Sequence, residues 1–201
     1  MSHPVRRLVI ASGNRGKLAE FRQLLDDPAL EWVGQNELGI ADPDETGTTF
    51  VENAIIKARN AARISGLPAL ADDSGLIVDA LGGAPGLHSA HYGGVHGDAQ
   101  RNIARLLGAL DGVPHERRGA RFHCVIVLLR SAQDPAPLIA EGTWEGRILA
   151  APRGVGGFGY DPLFYDPQHQ LSAAELDPAL KHRISHRGRA LDSLRARWNA
   201  W

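Results

Sequence analysis

A chain of 201 residues, 43% of them hydrophobic and 22% charged, is long enough to bury one large core or two small lobes around a shared one, and a single folding unit over residues 1–201 is expected. Its 22 Lys and Arg stand against 23 Asp and Glu, a formal net charge of −1, so there is no general attraction to a phosphate backbone. Nucleic acid is therefore not an expected partner, and any phosphate ligand must be held by a local cluster. Cys124 is the only cysteine and lies in an apolar run at residues 124–129, which excludes a disulfide framework and marks it as a small core residue.

Arg6 and Arg7 precede an apolar stretch of only residues 8–11, too short for the hydrophobic region of a signal peptide. No run approaches the roughly 20 apolar residues of a transmembrane helix. A soluble cytoplasmic protein without a membrane partner is expected.

Residues 7–12 are β-prone and end in Ser12-Gly13-Asn14-Arg15-Gly16-Lys17, after which Leu18, Phe21, Leu24 and Leu25 recur with helical spacing. Residues 30–34 form a second short strand, followed by a polar, turn-rich stretch at 36–47. Thr49 and Glu52 make a capping box, and Phe50, Ala54, Ala58, Ala61 and Ala62 give the helix that follows an apolar stripe. Asn53, Lys57 and Asn60 form a polar edge beside that stripe. The apolar run at 68–71 predicts a strand that stops at Ala71-Asp72-Asp73-Ser74-Gly75, with another buried strand at 76–81. Residues 98–110 predict a helix opened by Asp98. Residues 120–130 and 138–149 predict a long antiparallel hairpin around Asp134-Pro135. A glycine-rich loop follows at 154–159, Ser172 with Glu175 signals a helix start, and Leu191, Leu194 and Trp198 give the last helix its buried side. Strands mixed with helices, a hairpin among them, indicate an α/β protein with a mixed sheet.

Chemistry concentrates in a few polar stretches. The loop from Ser12 to Lys17 has glycines that free backbone N–H groups, a following helix N-terminus and two full charges, which together suit a phosphate. It is not a Walker A loop, because Ala11 and Leu18 stand where that motif needs glycine and Ser or Thr. Asp44 and Glu45, with Asp72 and Asp73, could complete an oxygen-rich Mg²⁺ site. Adjacent strand residues face opposite ways, so Asp72 and Asp73 are expected to differ in role. Lys57 and Lys181 are candidate phosphate ligands, and Phe158-Gly159-Tyr160-Asp161 offers aromatic faces and an acceptor suited to a nucleobase. Ser185-His186-Arg187-Gly188 is rich in donors, which suits a carbonyl-bearing partner, and is alternatively a helix start. His88, His91 and His96, like the pair His182 and His186, lack a third ligand at a recognised zinc spacing. Ser74 has no nearby histidine in sequence to activate it as a nucleophile.

Taken together, the Ser12 to Lys17 loop, Thr49-Phe50-Val51-Glu52-Asn53-Ala54, Ala71-Asp72-Asp73-Ser74-Gly75, Gly82-Gly83-Ala84-Pro85-Gly86, Phe158-Gly159-Tyr160-Asp161 and Ser185-His186-Arg187-Gly188 closely resemble the inosine/xanthosine triphosphate pyrophosphatase family, in the family's order and over nearly the whole chain. The resemblance implies a homodimeric, Mg²⁺-dependent enzyme that converts ITP, dITP and XTP to the monophosphate and pyrophosphate. It also implies an elongated mixed β-sheet with helices forming two lobes around a central active-site cleft. By the same resemblance Ser12, Gly13, Asn14, Arg15, Gly16 and Lys17 bind the triphosphate with Lys57 and Lys181. Asp73 is the general base and a metal-linked carboxylate, and Ser74 contacts substrate. Phe158, Gly159, Tyr160 and Asp161, with His186 and Arg187, hold the base. The family commonly has glutamate where this chain has Asp44, so Asp44, Glu45 or a water completes the metal shell. The alternative is a nucleotide-binding sensor or RNA-associated protein without turnover, against which the paired aspartates argue.

Overall fold

The computed structural model describes residues 6–13, 17–18, 21 and 29–198. Seven strands form one open sheet in the order β2-β1-β3-β4-β5-β6-β7: β1 (Arg6–Ile10), β2 (Leu30–Gly34), β3 (Ala69–Val78), β4 (Gly119–Leu129), β5 (Leu138–Ile148), β6 (Phe164–Asp166) and β7 (Leu171–Ser172). β1 pairs in parallel with β2, Arg6 opposite Leu30 and Ile10 opposite Gly34, and in parallel with β3, Ile10 opposite Leu70. β6 pairs antiparallel with both β5 and β7, so the sheet is mixed. Among the described residues the α-helices of more than one turn are α1 (Phe50–Ser65), α2 (Ala99–Ala109), α3 (Pro178–Ile184) and α4 (His186–Trp198), and Lys17, Leu18 and Phe21 are also helical. No helix among the described residues is long and apolar enough to cross a membrane.

The chain divides into two compact units. The first takes the described parts of Met1–Asp73, Cys124–Gly142 and Arg187–Trp201; the second takes Ser74–His123 and Thr143–His186. In the first unit the period-two alternation of strands sorts the core into two faces. Leu8, Ile10, Leu70, Cys124, Ile126 and Leu128 pack with Ala190, Leu191 and Leu194 of α4. Their neighbours Val9, Ala11, Ala69, Ala71, Val125, Val127 and Leu129 pack with Ala54, Ala58, Ala61 and Ala62 of α1. The alanine stripe lets α1 lie close to the sheet, which brings its polar edge within reach of strand side chains. Local signals set the start of α1: Thr49 accepts from the Glu52 N–H, the Glu52 carboxylate returns to the Thr49 N–H, and Gly66 closes the helix at a φ of 70°. Asp98 caps α2 by accepting from the Arg101 N–H, as the sequence predicts.

The second unit is built around aromatic rings. Phe122, Trp144 and Phe164 meet with centroids 4.6 Å (Phe122–Phe164) and 4.8 Å (Trp144–Phe164) apart, and the buried Trp144 Nε1–H donates to Asp166 Oδ2 at 2.9 Å. Gly146 permits this close approach: a Cβ there would stand 2.5 Å from the Tyr165 carbonyl oxygen and 2.6 Å from the Phe164 ring.

Two expectations are corrected. β3 does not stop at Ala71 but runs unbroken to Val78, so Asp72, Asp73, Ser74 and Gly75 lie inside a strand and the separate strand at 76–81 does not exist as such. Ser172 and Glu175 do not open a helix. The Glu175 carboxylate accepts from the Ser172 N–H, as in a capping box, but the bond closes a turn after β7, and the next helix is capped by Asp177, which accepts from Ala179 and Leu180.

Candidate functional site

In the first unit, β3 presents two carboxylates to two different groups of cations. Asp72 is fully buried and faces the α4 side, where Lys17 Nζ lies 2.8 Å and Arg187 Nη2 3.6 Å from its Oδ2. Burial alone would raise the Asp72 carboxyl, but Lys17, Arg187 and Lys57 overcome it and hold the group well below the usual carboxylate range. The Cys124 thiol is 4.0 Å from the same oxygen, and burial followed by the Asp72 charge pushes it up to about 12. Its place in the core agrees with the sequence reading.

Asp73 faces α1. Its Oδ1 accepts from Lys57 Nζ at 3.0 Å and its Oδ2 from Asn53 Nδ2 at 3.4 Å. Lys57 also lies 3.0 Å from Glu45 Oε1, so one ammonium bridges two carboxylates. Asn53 is held for this role because its own Oδ1 accepts from the Gly47 N–H at 2.8 Å. Burial raises the Asp73 carboxyl above its ordinary value and Glu45 adds to the rise, outweighing the opposing pull of Lys57 and Lys17. Burial would lower Lys57, but Asp73, Asp72 and Glu45 together raise it and keep it an ammonium. The expectation that the two aspartates face opposite ways therefore matches their surroundings.

The other expected residues of this unit fall as follows. Ser12 is buried, and Gly13 approaches the Asp42 carboxylate, itself fixed by a 2.5 Å bond from Gln35 Nε2. Asn14, Arg15 and Gly16 lie outside the described residues. Asp44 is exposed, and its neighbour Glu45 is the acidic residue brought to Lys57. Arg187 is buried in the second position of α4, with its guanidinium on Asp72. Sequence reasoning saw Asn53 as part of a polar helix edge but not as a partner of Asp73. The signal was present, since Asn53 and Lys57 stand one turn apart beside the alanine stripe.

The second unit gathers the aromatic candidates. Phe158 is 46% exposed, and Lys181 Nζ lies 5.2 Å from its ring centroid while donating to Asp161 Oδ2 at 2.5 Å. That carboxylate oxygen also accepts from the Phe158 N–H at 2.6 Å, which fixes the turn. Gly157, at a φ of 73°, sits where any Cβ would collide with the Asp161 carboxylate. Gly159 continues the turn at a φ of 61°. Tyr160 turns inward: it is buried, its hydroxyl donates to the Ser89 carbonyl at 2.9 Å, and burial raises it above its ordinary value. The exposed ring of this segment is therefore Phe158. His186 is half-buried and stacks on Phe122, with centroids 4.8 Å apart and planes 15° from parallel; Ser74 is half-buried at the start of the unit.

The chain has relatives among known proteins in both sequence and fold. Residues 8–197 match the model of the Ham1 family. A relative named dITP/XTP pyrophosphatase from Xanthomonas campestris pv. campestris is 62% identical over 196 residues, covering 98% of each chain. A HAM1 protein structure from Coxiella burnetii superposes with a TM-score of 0.91 at 52% identity, covering 98% of this chain and 100% of that one. The Staphylococcus aureus Ham1 structure gives 0.87 at 39% identity, covering 97% and 99%. The chain belongs to the Ham1 family.

Proposed function

We propose that the protein hydrolyses deaminated purine nucleoside triphosphates, ITP, dITP and XTP, to the monophosphate and pyrophosphate, and so clears them from the nucleotide pool. The observation that carries this reading is Asp73, a largely buried carboxylate on β3 that accepts from Lys57 and Asn53, in a chain 62% identical to a named dITP/XTP pyrophosphatase.

A triphosphate resists attack by water because its oxygens repel the nucleophile, so the protein must neutralise charge and align water with the bond to be broken. Lys17 and Lys57 supply positive charge in the first unit, with the loop residues Ser12, Gly13, Asn14, Arg15 and Gly16 presenting backbone N–H groups to the phosphates. Lys181 does so in the second unit. Asp73 takes the proton of the attacking water as the general base, held within reach of α1 by Asn53. Attack falls on the bond between the α and β phosphorus atoms. The exposed ring of Phe158 stacks on the base, Gly159, Tyr160 and Asp161 shape that stacking turn, and Ser74 contacts the substrate. His186 and Arg187 offer donors to the C6 carbonyl that hypoxanthine and xanthine share and adenine lacks.

Asp73 and Glu45 have hard oxygen donors already converging on one cation, the Lys57 ammonium, which is a donor set that suits Mg²⁺. When bound there, the ion supplies charge neutralisation and polarises a phosphoryl oxygen. Glu45 is accordingly the partner we assign to Asp73, in place of Asp44. A homodimer and a cytoplasmic location belong to the same reading.

A panel of purified nucleoside triphosphates with Mg²⁺, scoring pyrophosphate and orthophosphate separately, tests this. ITP should give IMP and pyrophosphate in equal amounts with little IDP. Stepwise release of orthophosphate would overturn the assignment.

A further inference from the structure

Lys57 does more in this structure than wait for a phosphate. Its Nζ lies 3.0 Å from both Glu45 Oε1 and Asp73 Oδ1, on three different elements: α1, the 41–49 segment and β3. Asp73 Oδ2 is meanwhile taken by Asn53, so both oxygens of the carboxylate are engaged. A divalent ion held by Glu45 and Asp73 needs the space and the charge balance that the ammonium now supplies, because two carboxylates cannot serve a lysine and a metal at full strength together. Lysine suits a contact that must be released: its charge is a point on a flexible four-carbon stem. Glu45, at 43% side-chain exposure, has room to shift as the contact changes.

We propose that Lys57 is a displaceable internal cation, standing in for the metal between Glu45 and Asp73 and leaving them when the metal enters. This rests on the reading that Glu45 and Asp73 hold the metal. Two consequences follow from the geometry. Metal alone binds weakly, because it must first compete with an ammonium that is already in place. Displacement then frees Lys57 for the phosphates, so metal and triphosphate each favour the other's binding by the same factor. The carboxylate pair is never left without a counter-charge at any stage.

The test uses Mn²⁺ without nucleotide, with free Mn²⁺ followed by electron paramagnetic resonance, on the wild-type chain and on Lys57→Met, Lys57→Arg and Asp73→Asn. Lys57→Met removes the competitor and should tighten Mn²⁺ binding by at least about tenfold. Lys57→Arg keeps the charge and should stay within about threefold of wild type, and Asp73→Asn should weaken binding. If Lys57→Met binds Mn²⁺ no better than wild type while Asp73→Asn binds it worse, Lys57 is not a competitor, although the metal assignment survives. If none binds Mn²⁺, or Asp73→Asn changes nothing, the metal assignment fails and the proposal with it. A readout on the unmodified protein covers the case in which the methionine variant does not fold. Mn²⁺ titration should raise the reaction of Lys57 with an amine-acylating reagent, read by mass spectrometry of its peptide, and an unchanged rate overturns the proposal.

Discussion

Asp72 and Asp73 are neighbours on β3, yet the polar groups around them are built on opposite principles. On the α4 side, Asp72 is sealed from solvent with Lys17 and Arg187 and has its pKa held down. On the α1 side, Asp73 keeps slight exposure, shares its lysine with Glu45 and has its pKa pushed up. A buried carboxylate with a depressed pKa is locked in its charged form and serves the fold, whereas one with a raised pKa is poised to accept a proton. On the proposed function, a single strand thus separates anchoring from chemistry by the alternation of its side chains.

The largest expected effect comes from breaking the anchoring side. Asp72→Asn leaves Lys17 and Arg187 without their buried counter-charge and should cost about 3–5 kcal/mol of stability, read by urea unfolding at neutral pH. The pH dependence sharpens the point. The depressed folded pKa means that the contribution of Asp72 is fully present above its unfolded value of 3.8 and is lost as pH falls through the lower folded value. The stability gap between wild type and Asp72→Asn should therefore narrow below pH 3.8. Asp73 acts with the opposite sign, because its folded pKa is raised: it lowers stability as pH rises from 3.8 through the folded value. A constant gap across this range would show that Asp72 does not titrate as an anchoring charge.

Next in size is the chemical side. Asp73→Asn keeps side-chain size and should lower turnover of ITP roughly 10²-fold or more, with the unfolding midpoint held within a few degrees. Full activity would move the base elsewhere, and collapse of the fold would make Asp73 a second anchor and erase the contrast between the two sides.

The smallest effect concerns Arg187, which touches the anchoring side while the proposed function also gives it the base. A donor meeting the C6 carbonyl of hypoxanthine opposes the amino group of adenine, and an unpaired buried polar group costs about 1–3 kcal/mol. Arg187→Ala should reduce the preference for ITP over ATP by about tenfold. Equal loss for both substrates would assign Arg187 wholly to Asp72. Guanine shares the C6 carbonyl, so this contact does not account for rejection of GTP.

Local signals carried much of the fold. Thr49 with Glu52, Asp98, and the β-prone runs at residues 30–34 and 120–129 are short-range patterns whose partners lie within a few residues or on the same strand. Asp72-Asp73-Ser74-Gly75 misled for the converse reason. Two adjacent carboxylates and a glycine have the composition of a turn, and what allows a strand there is a set of cations from residues 17, 57 and 187, far away in sequence. Ser172 and Glu175 misled differently, since the same side-chain-to-backbone bond closes a turn as readily as it opens a helix. At the candidate site the residue types were legible. Their distribution was not: the inward turn of Tyr160 and the approach of Glu45 to Lys57 depend on packing that no local pattern encodes.

The sole cysteine lies buried 4.0 Å from the Asp72 carboxylate, burial pushes its thiol up to about 12, and alkylating reagents should not reach it for as long as that neighbourhood stays closed. Opening the first unit both exposes the sulfur and relieves the charge that suppresses its thiolate. The rate of alkylation consequently reports how often this part of the molecule opens, at one defined position and without an added probe, much as amide exchange does for the backbone.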